Sequence, residues 1–238
     1  MDISIVLPAY KEAENLKNIL PLINQTLGKA NIDYEILVIN TIIQMDDTES
    51  VCNKNQAICI SREGGNLYGD AIRTGLKKAR GKYIVVMDAD GSHNPSDILR
   101  FYSEMKQKDY TLIIGSRYCK GGYTDNNFIL KFMSWILNVS YRIMFGLKVK
   151  DVSDSFRMYN ADSIKKVELE CDNFDIVEEI LIKLKYGVSN FNVKEIPISF
   201  NKRVAGESKR DLLKFIKSYI QTMRKLLHIK NQTKSKKK

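Results

Sequence analysis

Tyr83-Ile84-Val85-Val86-Met87-Asp88-Ala89-Asp90-Gly91-Ser92-His93 is the stretch on which the reading of the fold turns. Its first five residues form an unbroken apolar run without polar alternation, the pattern of a strand covered on both faces, as in a parallel sheet flanked by helices. Two carboxylates follow at once. In extended backbone, residues two apart point the same way, so Asp88 and Asp90 share one side of the strand end. Paired acids are costly there unless a cation or hydrogen-bond donors meet them. An oxygen-only pair suits a hard divalent ion, Mg²⁺ or Mn²⁺, which shares its coordination with substrate phosphates.

Outward from this stretch the same rhythm repeats. Ile3–Leu7, Tyr34–Ile39, Ala57–Ile60 and Leu112–Ile114 read as further strands. Between them, Glu12–Leu27 places Leu16, Ile19, Leu20 and Ile23 at helical spacing, and Leu67–Ala79 does the same with Ala71, Ile72, Leu76 and Ala79. Pro95–Met105 reads as a helix with Ser92 or Asn94 as cap and Pro95 in its first turn. The alternation predicts an α/β fold with a mostly parallel sheet flanked by helices. The second half predicts helices over Phe128–Phe145 and Phe174–Leu184, a strand-like stretch Val193–Phe200, and a final amphipathic helix Leu212–Ile229. There is no internal repeat and no Pro/Gly linker. The expected organisation is one domain over 1–206, a basic amphipathic helix over 207–230 and a disordered Lys-rich tail over 231–238.

The chain has 238 residues and a formal net charge of +10. From Glu207 onward it carries 11 Lys and Arg against two Asp and Glu, which leaves the preceding residues nearly neutral at 27 against 26. The basic character belongs to the C-terminal segment and suits an anionic membrane surface. Aromatic residues do not interleave with the lysines, which argues against nucleic acid. Cys52, Cys59, Cys119 and Cys171 show neither a zinc spacing nor a disulfide framework, which fits a reducing cytoplasm. The N-terminus shows no signal-peptide pattern. Phe128–Phe145, interrupted by Lys131, Asn138 and Arg142, is read as too polar to span a bilayer. Together with Leu212–Leu227 it is instead a candidate for lying in the headgroup plane of a membrane at its cytoplasmic face.

In parallel α/β sheets, ligands gather beyond the carboxyl ends of the strands. Polar residues follow four strands here: Pro8-Ala9-Tyr10-Lys11-Glu12, Asn40-Thr41, Asp88-Ala89-Asp90-Gly91-Ser92-His93 and Gly115-Ser116-Arg117-Tyr118. Ile5 through Glu12, Tyr34 through Ile39, Gly69-Asp70-Ala71 with Gly75, Met87 through His93, Gly115-Ser116-Arg117-Tyr118, Asp151 through Ser155-Phe156-Arg157, Glu195-Ile196-Pro197-Ile198-Ser199-Phe200 and Arg203 with Gly206-Glu207-Ser208-Lys209 fall in the order found in family 2 glycosyltransferases of the GT-A fold. The chain most resembles the dolichol-phosphate mannose synthase-like group, over roughly residues 1–210.

The resemblance implies an inverting, metal-dependent hexosyltransferase that uses Mg²⁺ or Mn²⁺ and moves a sugar from a nucleoside diphosphate to a polyprenyl or dolichyl phosphate. It implies that Pro8, Tyr10, Glu12, Asn40 and Asp88 border the nucleotide sugar. Asp88 and Asp90 would hold the metal, with Ser92 on the metal side. Arg117, Arg157, Arg203 and Lys209 would gather phosphates, Asp90, Arg117 and Arg203 being the catalytic set, and Glu179 would be an acid near the sugar. Two other readings stand beside it: transfer to a saccharide or glycolipid hydroxyl, for which Asp90, Asp154 or Glu179 would have to act as base, and a nucleotide-sugar-binding subunit without catalysis. The chain departs from the pattern at two places. Asn40 stands where the first of two acids ends the second strand, and an amide can donate where a carboxylate only accepts. Asp154 replaces a small residue.

Overall fold

The computed structural model describes residues 1–202 and 212–235. Seven strands form the central sheet: β1 (Ile3–Pro8), β2 (Tyr34–Asn40), β3 (Ile58–Ser61), β4 (Tyr83–Val86), β5 (Leu112–Ser116), β7 (Arg157–Asn160) and β8 (Val193–Pro197). Their order is β3-β2-β1-β4-β7-β5-β8, and every pairing is parallel except those of β7, which runs antiparallel between β4 and β5. A short ribbon, β6 (Tyr123–Thr124) with β9 (Ser199–Phe200), closes one end of the rim.

The helices are α1 (Ala13–Lys29), α2 (Thr48–Lys54), α3 (Tyr68–Lys78), α4 (Asp97–Gln107), α5 (Phe128–Phe145), α6 (Ala161–Ile164), α7 (Ile176–Gly187) and α8 (Leu212–Ser235). Alternation along the strands divides the core. Ile3, Ile5 and Leu7 of β1 face the layer of α1 and α4, while Val6 faces the layer of α3, α7 and α8. β4 repeats this, with Tyr83 and Val85 on the first side and Ile84 and Val86 on the second. Fully buried strands need both faces apolar, which is why the sequence shows unbroken runs. Gly75 lets α3 lie against the sheet, since a β-carbon there would come within 2.2 Å of Val6 Cγ1.

Several elements differ from expectation for local reasons. α4 begins at Asp97, two residues late, because Asn94 Oδ1 accepts the Ser96 N–H and holds a turn first. α2, which the sequence reading leaves out, begins at Thr48. Thr48 is buried as the first helical residue, and the Asp46 carboxylate accepts both its N–H and that of Ala13 at the start of α1. The terminal helix runs to Ser235, through residues expected to be disordered. The boundary drawn at 206 lies outside the described residues.

α5 is the least buried helix of its length. Only Asn138, Tyr141 and Phe145 are buried, while Phe128 (81% exposed), Phe132 (51%), Trp135 (56%) and Ile143 (79%) face outward. Eighteen residues at a mean hydropathy of 1.2 make it long and apolar enough to cross a membrane by length and composition, contrary to the reading from its three polar interruptions.

Beneath α8, Glu178 of α7 is fully buried. Burial lifts its pKa to about 8, against the opposing pull of Arg157. A carboxyl that binds its proton more tightly folded than unfolded contributes fully below the unfolded pKa, and stability falls as pH rises from there through about 8. Glu178→Gln removes that slope. The variant should match the wild type in Tm near pH 5 and exceed it by roughly 5 °C at pH 8. Parallel Tm–pH curves for the two proteins would contradict the assignment.

Candidate active site

The ends of β1, β2, β4 and β5 meet along one rim. At β1, Pro8 pairs with Ile39 in register, the Ala9 N–H donates to the Ile39 carbonyl, and Tyr10 emerges half-exposed. Lys11 turns the chain with φ +56°, and buried Glu12 accepts from Asn15 Nδ2 at 2.5 Å as α1 begins. At β2, Asn40 is buried, and its Oδ1 accepts the Thr41 N–H at 2.8 Å. The amide oxygen is therefore spent on its own turn.

Past β4, Asp88 and Asp90 stand half-exposed at the middle of the rim. Asp88 Oδ1 lies 3.5 Å from the Tyr68 hydroxyl, and Tyr68 stacks on Phe174 with centroids 4.4 Å apart. Asp90 Oδ1 accepts the Ser92 N–H at 3.0 Å across a turn made by Gly91 at φ +82°. Ser92 Oγ is buried without a hydrogen-bond partner. Among the described residues no three His, Cys, Asp or Glu side chains group as a metal site. Two rim carboxylates offer oxygen ligands that fit a hard cation completing its shell with substrate phosphate and water.

Past β5, the Arg117 guanidinium turns inward. Its Nε and Nη2 bind Asp151 Oδ2 and Oδ1 at 2.9 and 2.8 Å, Nη2 also donates to Ser153 Oγ at 2.8 Å, and Nε lies 3.1 Å from Asp154 Oδ2. Burial opposes the charge, but Asp151 and Asp154 outweigh it and raise the arginine's pKa. Asp154 is itself buried; burial favours its neutral form, and Arg117 and His93 overcome this to hold it below the usual carboxylate range.

The rim thus gathers Pro8, Tyr10, Glu12, Asn40, Asp88, Asp90 and, turned inward, Arg117. Two expected site residues are elsewhere. Arg157 is fully buried in β7 and donates to the main-chain carbonyls of Asp154 (2.8 Å), Val177 (2.7 Å) and Val152 (2.6 Å), so it ties three segments together and presents nothing to a phosphate. Glu179 is buried in α7, where it accepts the N–H groups of Glu170 and Cys171 and pairs with Lys183 at 2.8 Å. Arg203 and Lys209 lie outside the described residues.

Three groups at the rim were not foreseen. Tyr68 was hidden as the first residue of a helix. Arg62 is buried just beyond β3 and donates to the carbonyls of Ala9, Asn66 and Leu67. The strand-end rule that found the other four segments applies to it equally. His93, quoted with its motif, is buried between Phe156 and Phe200, with centroids 4.9 and 5.2 Å away.

A doubly covered sheet with an acid pair at the centre of a polar rim defines a protein of the GT-A architecture. The chain belongs to glycosyl transferase family 2, whose profile matches residues 4–168. It is 33% identical over 216 residues to a dolichol-phosphate mannosyltransferase of Pyrococcus furiosus, covering 88% of this chain and 59% of that protein. It is 28% identical to an undecaprenyl-phosphate mannosyltransferase of Micrococcus luteus, covering 88% of this chain and 87% of the relative. Among solved structures, glucosyl-3-phosphoglycerate synthase from Mycobacterium tuberculosis, in complex with Mn²⁺, UDP and glucosyl-3-phosphoglycerate, is similar with a TM-score of 0.74. That match covers 96% of this chain and 79% of the other at 17% identity, a likeness of fold alone.

Two substitutions separate the roles assigned above. Asp90→Asn should weaken Mn²⁺-dependent binding of a nucleoside diphosphate by about 100-fold, since loss of an outer-shell partner alone costs 10–100-fold. Calorimetric titration with Mn²⁺ and UDP or GDP reads this, and unchanged affinity would contradict it. Arg157→Lys should lower Tm by roughly 5–10 °C through unsatisfied buried carbonyls and leave that affinity within about twofold. Loss of affinity at unchanged Tm would return Arg157 to the phosphate site.

Proposed function

We propose that the chain transfers a sugar from a nucleoside diphosphate to a polyprenyl phosphate, with inversion at the anomeric carbon, at the cytoplasmic face of a membrane. The observation that carries this reading is the Asp88–Asp90 pair at the centre of the rim, in a family 2 chain whose relatives carry the names of dolichol- and undecaprenyl-phosphate mannosyltransferases. Tyr10 and the β1 and β2 ends border the nucleotide, and Tyr68 steadies Asp88. Asp88 and Asp90 would hold Mg²⁺ or Mn²⁺, which supplies positive charge to the leaving diphosphate.

An acceptor phosphate oxygen attacks the anomeric carbon as the bond from that carbon to the diphosphate breaks, its electron pair leaving with the diphosphate. A phosphate oxyanion needs no strong general base. The buried carboxylates support this choice over a sugar hydroxyl. Asp154 is committed to Arg117 and Glu179 to main-chain N–H groups, so neither stands ready to take a proton. Arg203 and Lys209 remain proposed phosphate ligands by resemblance.

The exposed face of α5 supports a membrane setting. Phe128, Phe132 and Trp135 form a stepped stack with centroids 6.3 and 6.2 Å apart, and aromatic side chains of this kind favour the membrane–water interface. Exposed Arg224 and Lys225 of α8, together with the basic C-terminal sequence, complement anionic headgroups.

Two experiments test the reading. A panel of radiolabelled GDP- and UDP-sugars, incubated with Mn²⁺ and a polyprenyl phosphate, should give an acid-labile, organic-soluble product that Asp90→Asn does not form. Label passing only to a saccharide would reject the lipid-phosphate acceptor. Trp135 is the chain's single tryptophan, so its fluorescence reports α5 alone. It should shift to the blue with vesicles containing anionic lipid and be quenched by brominated acyl chains. Emission indifferent to such vesicles would contradict docking through α5.

A further inference from the structure

Between the acid pair and the β5 side of the rim lies a buried run of charged and polar side chains. It starts at Asp88, whose N–H donates to His93 Nδ1 at 3.3 Å. In the neutral ring this leaves the proton on Nε2, which faces Asp154 Oδ1 at 3.4 Å. Asp154 Oδ1 also accepts the Phe156 N–H at 2.8 Å, which fixes the carboxylate, and Oδ2 faces Arg117. Arg117 passes the connection to Asp151 and Ser153, and Ser153 Oγ lies 3.2 Å from Ser134 Oγ of α5. A second strut joins the same elements, for Asn138 of α5 accepts the Val152 N–H at 2.8 Å.

His93 and Asp154 have side chains 0% and 1% exposed. Burying such groups is costly unless each is met by a partner, and removing one partner strands the others. Asp154 stands between His93 and Arg117, its Oδ1 3.4 Å from His93 Nε2 and its Oδ2 3.1 Å from Arg117 Nε. That carboxylate is what joins His93 to Arg117. The two loops leave neighbouring strands, Val86 of β4 pairing with Arg157 of β7, and Asp154 adds a charged contact beyond that ladder.

We propose that Asp154 is a positioning residue that locks the Asp88–His93 loop to the Asp151–Asp154 loop through His93 and Arg117, so that nucleotide and acceptor phosphate bind with mutual dependence. Asp154 touches neither substrate. It acts by making one rigid unit of two loops that serve different ligands. An acceptor phosphate that engages Arg117 draws on the same guanidinium that orients Asp154, and Asp154 in turn orients the ring bonded to the Asp88 main chain. Coupling of this kind is reciprocal, so each ligand must change the other's affinity by the same factor. The inference rests on the transferase reading.

The test measures two affinities on the full-length chain: Mn²⁺ with GDP or UDP, and farnesyl phosphate as a short isoprenyl phosphate, each alone and in the presence of the other. In the wild type each ligand should change the other's affinity about fivefold or more. In Asp154→Asn, which keeps an oxygen for the Phe156 N–H, the factor should fall to near one, and nucleotide affinity should drop about tenfold. His93→Gln should do the same, and the double variant should be no weaker than the weaker single one, because both changes cut the same connection. Asp154→Ser, a small neutral side chain, is the second probe should Asn disturb folding.

Unchanged coupling in these folded variants, or losses that multiply in the double variant, would overturn the proposal while leaving the transferase reading intact. Equal affinities with and without the second ligand in the wild type would overturn it too. A wild type that binds neither ligand would overturn both.

Discussion

Two carboxylates held side by side at the end of a buried strand repel one another, and the rim is built around holding them there. Asp88 contacts a tyrosine hydroxyl and Asp90 a main-chain N–H. Two cationic groups close to the rim are bound to other partners: Arg62 to main-chain carbonyls and Arg117 to carboxylates. A pair of oxygen ligands in this place suits a hard divalent cation, and such a cation would favour a phosphate-bearing partner.

The rest of the fold serves to hold that pair at the surface. β4 is flanked by β1 and β7 and covered on both sides, so its end is placed with little freedom. β7 carries Arg157 into the centre of the sheet, where its three donors close the main chain of the 152–154 loop and of α7. That loop brings Asp151, Ser153 and Asp154 beside Arg117, and its contacts with Ser134 and Asn138 join it to α5. An outward-facing apolar helix and the Arg117 guanidinium are thus two hydrogen-bonded steps apart.

Most of the parallel sheet was legible in the sequence because strands buried on both faces must be apolar without interruption. Ile3–Leu7 and Tyr83–Met87 could scarcely be otherwise. β7 was not legible. It is four residues long, begins with arginine and runs antiparallel, and Arg157 read more naturally as a phosphate ligand than as the anchor of a central strand. Glu179 misled for a related reason, since a carboxylate that caps main-chain N–H groups looks in sequence like one that meets a substrate. The rim segments were legible as strand ends. The direction of Asn40 and Arg117 was not, because Thr41 and Asp151 decide it. Asp154 could be recognised as a departure, yet its meaning depends on His93, which lies 61 positions earlier and meets it only in the fold.

Anomalous diffraction from crystals grown with Mn²⁺ and a nucleoside diphosphate tests the central claim most directly. The account predicts one strong manganese peak within coordination distance of the Asp90 carboxylate, with diphosphate oxygens in its remaining positions and Asp88 on the same side. A peak remote from the β4 end, or diphosphate bound with both carboxylates turned away from it, would contradict the account.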